Sequence, residues 1–132
     1  MDSETLTGQI REALTQSATP LICAYLYGSW ARGEAGIASD VDVAVLLDED
    51  TPKGLLGPLA RLRGELERSL GREVDLVDLR TAPPDLIHRV LRDGILVIDN
   101  RPDERIAFEV AARNAYFDLL PYLQEYRRRG SA

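Results

Sequence analysis

The sequence predicts an α/β (α+β) fold, a single mixed β-sheet of about four strands with flanking helices. Two observations carry that expectation. Four short apolar segments, Leu21–Tyr27, Asp40–Leu47, Glu73–Leu79 and Ile95–Ile98, have strand length, and leucine-rich stretches at three- and four-residue spacing separate and flank them. Turn-forming residues then fall at the junctions: Pro20, Gly28, Pro52, Gly71, Pro83-Pro84 and Gly94. With 132 residues there is material for one core, so residues 1–132 read as a single domain.

Each element follows in order. Leu6, Ile10 and Leu14 recur every four residues and predict a helix over about 4–17, with Ser3 as its N-cap. Pro20 introduces the buried strand Leu21–Tyr27, which Gly28 ends. Residues 29–39 are small and polar, a loop or short helix, and the second strand is acidic at its start. Pro52 suits a first helical position. Leu55, Leu59, Leu62, Leu66 and Leu70 then form one apolar stripe, closed by Gly71. Glu73–Leu79 is the third strand, a short helix runs from Pro83-Pro84 to about Asp93, and Ile95–Ile98 is the fourth strand. The last helix runs from Arg101 or Pro102 to about Tyr126, followed by a frayed arginine-rich tail.

Composition narrows the function classes. Apolar residues at 45% and charged residues at 29% describe a globular chain. Asp and Glu total 22 against 16 Lys and Arg, a formal net charge of −6, which disfavours direct nucleic-acid binding because phosphate neutralisation needs a basic excess. Cys23, the only cysteine, lies in an apolar run and reads as a small buried side chain rather than a disulfide or metal ligand. The acidic start Met1-Asp2-Ser3-Glu4 has no signal core, and no apolar run approaches the roughly 20 residues a bilayer requires. A cytoplasmic protein with no membrane partner is expected.

Three features converge on chemistry. Gly28-Ser29 ends a buried strand, where a glycine lets a phosphate approach the backbone and the serine hydroxyl and N–H groups can bind its oxygens. Asp40-Val41-Asp42 opens the second strand, and the two-residue period puts both carboxylates on one face, where a divalent cation relieves their repulsion. Asp75, flanked by apolar residues on the third strand, can complete a three-carboxylate site if that strand lies beside the second. Asp78 has the opposite facing and reads as structural. A phosphate cradle followed by three carboxylates is what two-metal phosphoryl transfer needs.

Gly28-Ser29, ten residues, then Asp40-x-Asp42 resembles the signature of the DNA polymerase β-like nucleotidyltransferase superfamily. The strings Gly28–Ala35, Ser39–Val45 and Gly71–Leu79 are similar to its minimal nucleotidyltransferases, and the likeness covers nearly the whole chain. The resemblance implies that Asp40 and Asp42 hold two Mg²⁺ ions, that Asp75 holds the catalytic one, and that Gly28 and Ser29 grip the triphosphate of ATP. Arg32 is a candidate phosphate contact, and an arginine near an acidic site is equally a structural partner. Ser39, also placed in the nucleotide-binding set, can cap the Asp40 turn and reads as structural before catalytic.

The resemblance also implies a partner. Minimal nucleotidyltransferases are commonly paired with a HEPN-domain ribonuclease toxin, to which the antitoxin transfers AMP from ATP on a tyrosine hydroxyl. A protein adenylyltransferase antitoxin is therefore expected, the alternatives being a steric antitoxin with a vestigial site and a small-molecule nucleotidyltransferase subunit. The last helix has two apolar stripes, one for the fold and one for a partner. Phe108, Leu119 and Leu123 are assigned to the partner side, and Phe117 and Leu120 to the inner side. His88 reads as a surface histidine. Trp30 either packs on the nucleotide or shields the loop.

Overall fold

The computed structural model describes residues 2–36, 39–54 and 57–130. Its elements run α1 (Ser3–Gln16), β1 (Leu21–Tyr27), α2 (Gly28–Ala31), β2 (Val41–Leu47), α3 (Pro58–Leu70), β3 (Val74–Asp78), α4 (Pro84–Asp93), β4 (Ile95–Asp99) and α5 (Pro102–Gly130). The four strands form one sheet in the order β3-β2-β1-β4. β1 pairs antiparallel with β2 and β4, and β2 pairs parallel with β3. The expected mixed sheet is present, and α3 supplies the crossover that a parallel pair requires.

Period-two alternation divides the core between the two sheet faces. On one face Ala24, Leu26, Val41, Val43, Val45 and Leu47 pack against Leu6, Ile10 and Leu14 of α1 and Leu62 and Leu66 of α3. On the other, Cys23, Tyr25, Ala44 and Leu46 pack against Val90 of α4, with Leu86, Ile87, Leu91 and Phe108 around them. Cys23 is fully buried, as its apolar surroundings imply.

Several boundaries differ from the sequence expectation. Asp2, not Ser3, caps α1: its carboxylate accepts from the Thr5 N–H at 2.8 Å. The Ser3 hydroxyl instead donates to the Trp30 carbonyl, tying α1 to α2. The helix after β2 starts at Pro58, so Pro58 rather than Pro52 occupies the first turn, and Leu55 lies outside the described residues. Gly71 closes α3 in the left-handed conformation. α5 continues through Arg127–Arg129, where a frayed tail was expected, with its arginines favourably placed at the helix C-terminus.

Asp78 is structural, as its facing implied. It is 6% exposed and its carboxylate pairs with Arg80 at 2.8 Å. The same guanidinium donates to the Asp48 and Thr51 carbonyls at 2.9 and 2.7 Å, pinning the loop after β2 to the end of β3. Removing one partner of a buried charge pair leaves the other uncompensated. Asp78→Asn is therefore expected to cost about 3 kcal/mol in denaturant unfolding.

The last helix corrects the stripe assignment. Phe108, expected to face a partner, packs into the core cluster on the α4 side of the sheet, and Leu123 is also half-buried. The outward apolar residues are Ile106, Val110 and Phe117, with Phe117 64% exposed. The inward positions 105, 108, 109, 112, 116, 120 and 123 follow a spacing of three and four, which the 3.6-residue turn dictates once Phe108 is buried. Leu119 lies at the edge of the two faces, 38% exposed. Phe108→Ala is expected to lower stability by about 2 kcal/mol and Phe117→Ala by less than about 0.5 kcal/mol, as thermal unfolding would measure.

Candidate active site

The C-terminal end of β1 and the N-terminal ends of β2 and β3 meet under α4. Register does the positioning. Tyr27 of β1 lies opposite Asp42 of β2, and Asp42 lies opposite Asp75 of β3. One row across three strands thus carries a phenol and two carboxylates on the face that α4 covers. An open cleft of about 550 Å³ lies over this row, lined by Tyr27, Gly28, Ser29, Arg32, Asp42 and Asp75 from below and by Leu86, Arg89, Arg92 and Asp93 of α4 from the side.

Gly28 is required at its position for two separate reasons. Its φ of +72° is a conformation that L side chains rarely adopt. A Cβ built there would also sit 2.1 Å from Asp42 Oδ2 and 3.0 Å from its Cγ. The space that the absent side chain leaves is occupied by the Asp42 carboxylate. The chain then turns through α2, whose four residues are too short for a large helix dipole. Ser29 lines the cleft, and its carbonyl accepts from the Glu34 N–H at 2.9 Å.

Charge crowding marks the row. The Asp42 carboxyl is pushed above the usual carboxylate range, first by burial, then by the charges of Asp75 and Asp40, with Arg32 opposing. The Tyr27 phenol is pushed well above its ordinary value, again first by burial and then by Asp75 and Asp42. Like charges held this close favour a bound cation, and carboxylate oxygens suit a hard divalent one. Among the described residues, no group of three acidic, histidine or cysteine side chains stands at metal-ligand spacing. Asp42 and Asp75 share the row, whereas Asp40 precedes β2 and is exposed.

Asp75 reaches the site by a different route from the one its neighbours implied. It is the second residue of β3 and exposed, although apolar residues flank it in sequence. The parallel register with β2 is what places it beside Asp42. Arg32 lines the cleft and pairs with Glu34 at 3.1 Å across an exposed surface.

Ser39 does not line the cleft. Its hydroxyl accepts from the Gly36 N–H at 2.9 Å and its N–H donates to the Gly36 carbonyl at 3.1 Å, closing the loop before β2. Its nucleotide-binding assignment is therefore not supported by contact. Trp30 belongs to the core, 5% exposed, with its indole N–H donating to the Ser39 carbonyl at 3.4 Å and the Arg72 guanidinium 5.1 Å from the ring centroid.

Two cleft residues were not singled out in the sequence. Arg89 and Arg92 stand three apart on α4, and that spacing puts them on one face. The signal was legible, but only the sheet order shows that this face overlooks the carboxylates. Their neighbour His88 is no free surface histidine: it is half-buried and stacks on Tyr116 of α5, with ring centroids 3.8 Å apart.

The sequence profile described as "Polymerase beta, Nucleotidyltransferase" matches residues 9–103, which contain the whole row. The chain is 34% identical over 113 residues to the protein adenylyltransferase MntA of Shewanella oneidensis, spanning 84% of this chain and 77% of that one. A Methanocaldococcus jannaschii protein named provisionally for the same activity is 40% identical over 75 residues, 57% of this chain and 77% of its own length. Among solved structures, a chain of a toxin–antitoxin crystallised with AMP-PNP superposes with a TM-score of 0.80 at 29% identity, covering 96% of this chain and 98% of that chain. A chain of a complex described as a tri-AMPylated Shewanella oneidensis HEPN toxin with its MNT antitoxin superposes with a TM-score of 0.75 at 27% identity, covering 98% and 99%.

Proposed function

The chain belongs to the polymerase beta nucleotidyltransferase family, and from that premise we propose that it is an antitoxin that transfers AMP from ATP to a tyrosine hydroxyl of a HEPN ribonuclease toxin, neutralising it. The observation that carries the reading is the row itself: Asp42 and Asp75 in register at the floor of a cleft whose rim is Gly28-Ser29. The AMPylated HEPN toxin in the solved relative supports the choice of acceptor.

In the reaction, the acceptor oxygen forms a bond to the α-phosphorus while the bond from that phosphorus to the bridging oxygen of the β-phosphate breaks. Pyrophosphate leaves with the electron pair, and the hydroxyl proton passes to a base. Asp40, Asp42 and Asp75 are assigned to two Mg²⁺ ions, which when bound neutralise phosphate charge and make the acceptor hydroxyl more acidic. Gly28 and Ser29 present backbone and hydroxyl groups to the triphosphate, and Arg32 adds a cation beside them. Asp75 stands at the open edge of the row and is assigned to orient the acceptor hydroxyl.

The C-terminal helix is assigned to the partner. Its exposed Ile106, Val110 and Phe117 provide the apolar face, and α5, with 29 residues, extends about 43 Å. No helix among the described residues is long and apolar enough to cross a membrane.

ATP labelled at the α-phosphate tests the chemistry. Label is expected on the HEPN partner when a divalent cation is present, and none when the label is at the γ-phosphate. Transfer of γ-label, or transfer that survives removal of the cation by chelation, would overturn the assignment.

A further inference from the structure

We propose that Arg89, with Arg92 behind it, holds the β- and γ-phosphates of the bound nucleotide, so that α4 serves as the clamp for the leaving pyrophosphate. This rests on the nucleotide-transfer reading of the cleft. It assigns a binding task to a helix that lies outside the Gly28–Asp42 signature.

The cleft has two walls of opposite charge. The sheet wall carries Asp42 and Asp75, so it repels phosphate unless cations intervene. The α4 wall carries Arg89 and Arg92, whose side chains line the same cleft. Arg92 is already engaged by the Asp93 carboxylate at 3.0 and 2.8 Å, which offsets much of its charge. Arg89 has no carboxylate at ion-pair distance among the described residues, and it is exposed. It lines the same cleft as Tyr27 and Gly28, at the end of β1.

A nucleotide spanning this cleft must put its α-phosphate near Asp42 and Asp75, where the acceptor hydroxyl is activated. The rest of the triphosphate then extends from the strand row toward α4. Negative charge builds on the pyrophosphate as its bond to the α-phosphorus breaks, and an arginine fork donates well to such oxygens. Leu86, one turn before Arg89 on the same helix face, contributes an apolar side to the cleft and cannot substitute for that charge.

The test is calorimetric titration of the full chain with ATP, AMP and pyrophosphate, each with Mg²⁺, for the wild type, Arg89→Ala and Arg89→Lys. Arg89 is exposed, so both variants are expected to melt with the wild type. Arg89→Ala is expected to lose about tenfold or more in affinity for ATP and pyrophosphate while AMP affinity stays within about twofold, and Arg89→Lys to recover part of the loss. Wild-type ATP affinity retained in Arg89→Ala, or an equal loss for AMP, overturns the clamp and leaves the transfer reading standing. A wild type that binds no ATP with Mg²⁺ overturns both.

Discussion

Asp42→Asn is expected to slow nucleotidyl transfer by about 10³-fold or more while the protein stays folded. Asp42 is the residue on which the site converges: its Oδ2 lies where a Gly28 Cβ would be, its cross-strand neighbours are Tyr27 and Asp75, and it lines the cleft. An amide keeps the shape and removes the charge, so cation affinity falls without a cavity. Stability should move the other way. Burial, Asp75 and Asp40 hold the Asp42 carboxyl above its ordinary range, so the native state binds more proton than the unfolded one between the two values. Wild-type stability contributed by this group is therefore highest at acid pH and falls as pH rises from the ordinary carboxylate range through the raised value. Asn removes that fall. At neutral pH the variant should melt at or above the wild type, and added Mg²⁺ should raise the melting temperature of the wild type only. A variant that unfolds at neutral pH, or that gains as much from Mg²⁺ as the wild type, contradicts the assignment.

The second large effect belongs to Gly28. Gly28→Ala should destabilise the protein by about 3 kcal/mol and remove ATP binding, whereas Gly33→Ala should cost about 1 kcal/mol. Both glycines have positive φ, +72° and +73°, so conformational strain is common to the two variants. Only Gly28 has the Asp42 carboxylate where a methyl group would go; nothing lies within 4 Å of a Cβ at Gly33. A double-mutant cycle sharpens the reading. In an Asp42→Gly background, Gly28→Ala should cost no more than Gly33→Ala, because the clash partner is gone. If the two glycine variants are equally destabilised in the wild-type background, the close approach of Gly28 to Asp42 is not what the site depends on.

The strands were legible because apolar runs of strand length coincided with turn residues at their ends. Leu21–Tyr27 lies between Pro20 and Gly28, and the strand expected there is the strand observed. Helix boundaries were less legible where the local signals competed. Pro52 and Pro58 both satisfy the preference for proline in a first turn, and only the folded chain selects Pro58. The site divides in the same way. Gly28 and Asp42 could be read from spacing, since each lies next to a strand end. Asp75 stood out in the sequence as an aspartate flanked by apolar residues, yet it is exposed; strand order, which the sequence does not print, is what sets it beside Asp42. Arg89 and Arg92 were invisible as site residues for the same cause, since which helix overlooks the carboxylates is a matter of topology. The two apolar stripes of α5 were detected by period, but period is symmetric about the helix axis and does not say which side meets the sheet. Phe108 settles that by packing against the core.

The central claim is that the row of Asp42 and Asp75 performs chemistry on a protein acceptor, rather than serving as the floor of a docking surface. The most direct test is the intact mass of the HEPN partner, together with its ribonuclease activity, after incubation with ATP, Mg²⁺ and either the wild-type chain or Asp75→Asn. The exposed position of Asp75 makes that variant safe for the fold. The account predicts that the wild type adds AMP to the partner and silences it, while Asp75→Asn still forms the complex but adds no AMP, and ribonuclease activity returns once the complex is separated. An Asp75→Asn chain that adds AMP as the wild type does, or a wild type that leaves the partner's mass unchanged while silencing it, would contradict the account.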